Sequence, residues 1–372
     1  MKHVIHNTDG LHVLFDLFEN RLPDVQAAAA LALATILKDH TDAVIEAKKL
    51  NANDIALHWI EIRLKEGNSG AKDTCAAAEL LAMLCCDEKV ESCRGLKAIN
   101  GDYGLNILLE IIVTGNECAN IAARALSNTL ATSSGPESAS RIMESGGLGK
   151  VCQYLKTCKL GETEPLVIAE TLKVVKRCCE RFRPDAQDLS IGEGIFEYLI
   201  DWVCLTKEMQ LEQDESPSDH IENMRVKSAK TLYFLTLDNV EIQMLHTEDI
   251  IKRAIDAYVS SIDKYPTLLE ALCRWFGAIV SNIYDQQIAF TCLNGFDDVL
   301  IDSIYHGHPK LRGRALLALS ELVDANDKVK DRMYKSGVLN VIENLHGGIN
   351  DCDDKNMNET IMLEKIGIVR LY

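Results

Sequence analysis

Residues 123–131 read ARALSNTLA and, much further along, residues 314–322 read RALLALSEL. A single globular core has no use for one phrase written twice, whereas a stack of similar units does. Aligned on Leu126, the chain shows apolar counterparts at Leu33, Leu81, Leu172, Leu232, Phe276 and Leu319. The intervals between these anchors are 48, 45, 46, 60, 44 and 43 residues. Three positions after each anchor stand Ile36, Leu84, Thr129, Val175, Leu235, Ile279 and Leu322. Four positions before stand Ala29, Ala77, Ala122, Ile168, Ser228, Leu272 and Ala315. Apolar residues at i and i+3 with a mostly small residue at i−4 describe one helix face. The small side chain lets a neighbouring helix come close.

Helix punctuation keeps the same rhythm. Pro23, Pro266 and Pro309 stand two residues before the apolar openers Val25, Leu268 and Leu311. Proline is tolerated in a first helical turn, where its missing N–H has no intrahelical partner. Gly10, Gly104, Gly147, Gly194, Gly295 and Gly337 precede further apolar helices such as GLNILLEIIV and GIFEYLIDWV. Asp54 and Asp249 take that place in two other segments and read as N-caps. The expected unit is a short helix, a small-residue helix, a glycine turn and a third helix.

Composition narrows the class. Acids outnumber bases by 56 to 39, and the net charge of −17 disfavours phosphate backbones and anionic lipid, so neither nucleic acid nor membrane is expected as a partner. The opening MKHVIHNTDG lacks the apolar core of a secretory signal. The longest strongly apolar stretch, AAAALALATIL at 27–37, is too short at about 1.5 Å per residue to cross a roughly 30 Å hydrocarbon layer. The 13 cysteines include no C-x-x-C pair, and Cys75, Cys85, Cys86, Cys178, Cys179 and Cys273 sit in apolar helical text. They are expected to be buried, reduced thiols of a cytoplasmic protein, with the nucleus as the other compartment.

CANIAARALSNTLA followed by SRIMESGGLGKVCQYL resembles the armadillo repeat, with its A-L-x-N-x-L phrase and glycine turn. PKLRGRALLALSELV followed by KDRMYKSGVLNVIENL is a second match, and the resemblance spans about residues 10–350. It implies an all-α, right-handed armadillo/HEAT-like α-solenoid of about seven repeats forming a single array over 1–372. The repeats fall near 23–70, 71–116, 117–162, 163–223, 224–265, 266–308 and 309–350. The ends, 1–22 and 351–372, read as partial repeats or caps, as in a fragment of a longer protein. The long fourth interval holds KEMQLEQDESPSDHIEN at 207–223, with six acids and one lysine, which is expected to be an exposed acidic loop.

Motifs for catalysis are missing. GGLGKV at 146–151 has the wrong glycine spacing for a phosphate-binding loop. GNSGA at 67–71 ends on Ala71 where a nucleophile elbow needs glycine. His306 and His308 have no further metal ligands nearby in sequence. The expectation is a non-enzymatic protein without cofactor or metal.

The resemblance also implies a binding groove, lined by third helices and by an Asn projected from the second helix. The matching positions, two past each anchor, hold Thr35, Met83, Asn128, Val174, Phe234, Ala278 and Glu321, so only Asn128 keeps the asparagine. That departure argues against a nuclear import receptor. Third-helix aromatics are Trp59, Tyr103, Tyr154, Tyr198, Trp202, Tyr258 and Tyr305; Trp59 and Trp202 read as core, Tyr198 and Tyr258 as exposed. The eight third-helix segments carry 13 acids against 6 bases. A basic, extended or helical protein segment is therefore the expected partner. Candidate contacts are Asn128, Tyr154, Glu197, Tyr198, Asp201, Trp202, Asp256, Tyr258, Asp298 and Asp302. Scaffold or adaptor is the leading reading. MRVKSAKTLYFLTLDN at 224–239 resembles repeats of the UCS-type myosin chaperones, implying a myosin-type client as an alternative; a regulatory domain within a larger protein is another.

Overall fold

The computed structural model describes residues 10–325 apart from 21, 39, 69–71, 85–101, 116–117, 132–134, 206–218, 263, 282–295 and 306–307, together with Asp331 and Lys335. The described residues are helical with no strand, and they fall into two compact units divided between Ile195 and Phe196.

The first unit holds α1 (Gly10–Phe18), α2 (Pro23–Leu37), α3 (Thr41–Lys49), α4 (Ala52–Lys65), α5 (Lys72–Leu84) and α6 (Asp102–Thr114). It continues with α7 (Ala119–Ala131), α8 (Gly135–Glu144), α9 (Gly147–Thr157), α10 (Pro165–Arg181) and α11 (Asp185–Gly192). The second unit holds α12 (Phe196–Val203), α13 (Asp219–Thr236), α14 (Val240–Met244), α15 (Glu248–Val259), α16 (Pro266–Val280), α17 (Phe296–Tyr305) and α18 (Pro309–Ala325).

The seven anchors sit on α2, α5, α7, α10, α13, α16 and α18, and every one is fully buried. Pro23, Pro165 and Pro266 occupy the first turns of α2, α10 and α16, and Pro309 opens α18. The order within a unit differs from expectation. The short helices α3, α8, α11 and α14 follow the anchor helix instead of preceding it. A left-handed residue then reverses the chain into the next long helix: Asn51 at φ 57° before α4, Gly146 at 69° before α9, Gly194 at 75° before α12. Asp54 and Asp249 are not caps. Asn51 and Thr247 hold the cap positions, and the acids sit in the first turns, where they favour the helix dipole.

Each turn-led helix forms a hairpin with the anchor helix that follows it, as in α4–α5, α6–α7, α12–α13 and α17–α18. Anchor helices of consecutive repeats lie against one another along most of their length: α2–α5, α5–α7 and α7–α10 in the first unit, α13–α16 and α16–α18 in the second. Consecutive turn-led helices touch at far fewer points. The small-residue column permits this; Ala29, Ala77, Ala122, Ser228 and Ala315 are buried on their anchor helices, with Ile168 and Leu272 in the same place on α10 and α16. A hydrogen in place of a side chain at Gly277 brings α16 against Ala318 of α18, where an added Cβ would sit 3.4 Å from the Ala318 Cβ. Because one layer is spaced more tightly than the other, the anchor layer is the inner one in each unit.

Two expectations are corrected here. Residues 219–223, read as part of the acidic loop, are the first turn of α13, with Glu222 half-buried; 207–218 lies outside the described residues. Cys75 is not a free thiol but is disulfide-bonded to Cys118, with 4.9 Å between their Cα atoms. Their separation of 43 residues is one repeat, so the stacking itself brings the two sulfurs together. Cys152, Cys158, Cys178, Cys179, Cys204 and Cys273 are free and buried, and burial pushes the Cys152, Cys179, Cys204 and Cys273 thiols up to about 12. Cys85 and Cys86 lie outside the described residues.

Candidate functional site

The helical period decides which anchor-helix residues remain in solvent once the stack has formed. In the first unit they include Leu31 and Thr35 on α2 with Lys38 at its C-cap, Glu79 and Met83 on α5, and Ile121, Arg124 and Asn128 on α7. Together with Lys72, Cys75 and Ala76, most of these line a cavity of about 640 Å3. Leu31 is 51% exposed, an apolar side chain left uncovered at the mouth. The Thr35 hydroxyl donates back to the Leu31 carbonyl at 2.7 Å, so it is engaged by its own helix. The Asn128 amide donates to the Ala82 carbonyl at 3.4 Å, tying α7 to α5. Arg124 forms an ion pair with Glu79 across the same two helices. Further along, Lys173 pairs with Glu170 at 2.6 Å and Arg177 with Glu180 at 2.7 Å on α10.

Val174, Phe234 and Ala278 are buried, and the Glu321 side chain lies outside the described residues. Tyr154 is half-buried on α9, its ring against the turn at Gly115, and burial raises its hydroxyl pKa.

The turn-led helices of the second unit carry most of the other candidates, and they belong to the wider layer, not to the inner one. This corrects the assignment of the groove to third helices, since the anchor helices lie against one another along most of their length and the turn-led helices touch at far fewer points. Glu197, Asp201, Asp256, Asp298 and Asp302 are exposed. Asp201 is engaged by Arg253 at 2.6 Å, and Lys252 by Glu248 at 2.6 Å. Asp298 and Asp302 share one face of α17, and partial burial together with the Asp298 charge raises the Asp302 carboxyl. Tyr198 is 36% exposed, its ring edge-on to Trp202 at 6.3 Å. Trp202 and Tyr258 are core residues, 4% and 1% exposed. Tyr258 had read as exposed from its polar neighbours in sequence. In the fold its hydroxyl reaches Ser303 of α17, so the polar tip is satisfied inside the stack.

The core of the second unit is also polar in places. Trp275 donates to His246 Nε2 at 3.0 Å, while His246 Nδ1 faces the carbonyls of Ile242 and Gln243. Burial lowers the His246 pKa to about 4. Arg225 is buried and donates to the Val203 carbonyl at 3.1 Å, stitching the end of α12 to α13. Glu222 beside it has both carboxylate oxygens without a hydrogen-bond partner, and burial pushes its pKa up to about 7.

One surface escaped the sequence reading altogether. On the anchor layer of the second unit, Lys230, Arg274, Lys310 and Arg314 gather with Glu270. The Arg274 guanidinium lies 4.0 Å from the centre of the Tyr233 ring and 5.4 Å from that of Phe234. A signal was present, since each anchor helix contributes bases at solvent-facing steps, but an overall charge of −17 hid it.

Among the described residues no group of three or more His, Cys, Asp or Glu is placed to hold a metal ion, and no helix is long and apolar enough to cross a membrane. No family model and no curated protein matches the chain. Solved structures do match. An engineered protein from a structural-genomics programme is 17% identical, covers 98% of this chain and 90% of its own, and superposes with a TM-score of 0.56. A designed armadillo repeat protein is 14% identical over 68% of this chain and 94% of its own, at 0.52. Another designed armadillo repeat protein, in complex with the peptide (KR)4, is 15% identical over 70% and 98%, at 0.50. This is an armadillo-like repeat fold. At such identities the likeness establishes the fold alone, and the armadillo-like stack is what positions the surfaces above.

Proposed function

We propose that this armadillo-like chain is a non-enzymatic protein-binding scaffold, holding an extended protein segment across the solvent-facing line of its anchor helices. The observation that carries the reading is the cavity of about 640 Å3 spanning α2, α5 and α7, with uncovered Leu31 at its mouth and Met83 and Ile121 in its wall. A groove with apolar walls and a few polar groups at its edges suits a peptide whose side chains seat between helices. The designed armadillo neighbour bound to (KR)4 supports the same class of ligand. The test is selection of peptides from a random display library, followed by titration against Leu31→Glu and Met83→Glu. Selected peptides should lose roughly tenfold or more in affinity with either variant. Selection that enriches nothing, or peptides indifferent to both changes, would refute the reading.

A basic segment is a second reading, resting on the exposed acids of α12, α15 and α17. Asp298 and Asp302 carry it, because their mutual repulsion would be relieved by a cation.

A further inference from the structure

The inner surface of the second unit has chemistry of its own. Lys230 on α13, Arg274 on α16, and Lys310 and Arg314 on α18 stand on three anchor helices packed side by side, with Arg274 reaching back over Tyr233 of α13, and the charges felt by Lys230 include Glu270 and the other three bases. None of the four bases forms an ion pair with a described carboxylate. Lys230 and Arg314 are also half-buried, so water screens them incompletely. The Arg274 guanidinium carbon lies 4.0 Å from the centre of the Tyr233 ring, and its Nε is buried without a hydrogen-bond partner. A guanidinium held against a ring is partly desolvated, and its planar fork of N–H donors matches a carboxylate.

The structure points to an anionic occupant: we infer that this face, Lys230, Arg274, Lys310 and Arg314 over the Tyr233 ring, docks an extended, carboxylate-rich segment of a partner protein. The inference rests on the scaffold reading above and adds the partner's chemistry for one unit. The partner's acids would replace the missing counter-charges. Spacing follows from the fold. Packed helices lie about 8–10 Å apart, and a polyproline II segment advances about 9 Å in three residues at about 3.1 Å each. Acids at every third position would therefore meet α13, α16 and α18 in turn. The charge complementarity is local, because the same unit presents Glu197, Asp256, Asp298 and Asp302 on its other layer.

The test is fluorescence anisotropy with the labelled peptide (Glu-Pro-Pro)4, using (Gln-Pro-Pro)4 and (Lys-Pro-Pro)4 as comparators. The glutamate peptide should bind roughly tenfold or more tightly than either comparator, and its affinity should fall steeply between about 0.05 and 0.5 M salt. Arg274→Ala and Lys310→Glu should each weaken it by roughly tenfold. Lys310 is exposed, so its reversal tests the surface without disturbing the core. Glu241→Lys, an exposed change on the short helix α14, should leave binding unchanged. Equal binding of the three peptides, or indifference to Arg274→Ala and Lys310→Glu together, would overturn the inference. Preference for a single-stranded oligonucleotide over (Glu-Pro-Pro)4, or self-association dissolved by Lys310→Glu, would overturn it by assigning the face to nucleic acid or to a second copy. Library peptides that still bind and still respond to Leu31→Glu would show that the scaffold reading stands even where this one fails.

Discussion

The inner layers of the two units differ in their electrostatic habits. In the first, three cations on the anchor helices are matched by acids one turn away or on the next helix: Arg124 with Glu79, Lys173 with Glu170, Arg177 with Glu180. The cavity there is walled largely by apolar side chains, Leu31 above all, with Lys38 and Lys72 at its edge. In the second unit Lys230, Arg274, Lys310 and Arg314 have Glu270 nearby but form no ion pair with a described carboxylate, and Arg274 lies against an aromatic ring instead. The backbone is built from the same column of buried anchors in both. The difference teaches that the stack needs only the inward-facing positions, leaving the few solvent-facing positions of each anchor helix free to set ligand chemistry.

The largest effects should come from the inward column, in either unit. Leu126→Ala in the first and Leu319→Ala in the second should each cost about 2–5 kcal/mol in denaturant unfolding, because both are fully buried. Since stacked repeats couple mainly to their neighbours, hydrogen exchange on Leu319→Ala should show loss of protection in the second unit first. Uniform loss through both units would mean that they unfold as one.

Next in size is the disulfide, which only the first unit has among the described residues. Cys118→Ser should destabilise that unit by about 2–4 kcal/mol, since the bond closes a loop of one repeat. A reductant titration followed by unfolding would check this; a shift of the second unit's transition would break the separation.

A pH comparison isolates the second unit. His246, depressed to about 4 from 6.5, leaves the unfolded chain holding more protons between those values, so its contribution is lost as pH falls from 6.5 toward 4. Glu222, raised to about 7 from 4.5, acts in the opposite sense: its contribution is present below 4.5 and is lost as pH rises toward 7. The two oppose each other between about 4.5 and 6.5, so wild-type stability should vary little there. Glu222→Gln should add about 1–2 kcal/mol at pH 8, and should uncover a decline of stability below pH 6.5. A flat profile in that variant would contradict the buried, neutral state of His246.

The smallest effect concerns the outer layer. Asp201→Asn removes an exposed pair with Arg253, and should change stability by less than about 0.5 kcal/mol in thermal unfolding. A larger loss would make the outer layer structural instead of available to a basic segment.

Most of the architecture was legible because burial and helical period speak directly in residue types. Seven anchors, their small partners at i−4 and the prolines that open α2, α16 and α18 all lie within single helices, where spacing alone predicts a shared face. The order of helices was misread because the short helices α3, α8, α11 and α14 have weak apolar patterns, and their place depends on turns at Asn51, Gly146 and Gly194. Tyr258 was misread for a related reason: its hydroxyl partner, Ser303, is one repeat away and invisible to local text.

By itself, then, the sequence determined a repeating helical stack and the residues that hold it together, because those choices are local and periodic. Only tertiary structure decided which layer is inner, that Cys75 meets Cys118, and that four bases from three separate helices share one face. Those are contacts between repeats, set by how closely small side chains let neighbouring helices approach. Net charge averages over both layers of both units, whereas a ligand meets one layer of one unit at a time.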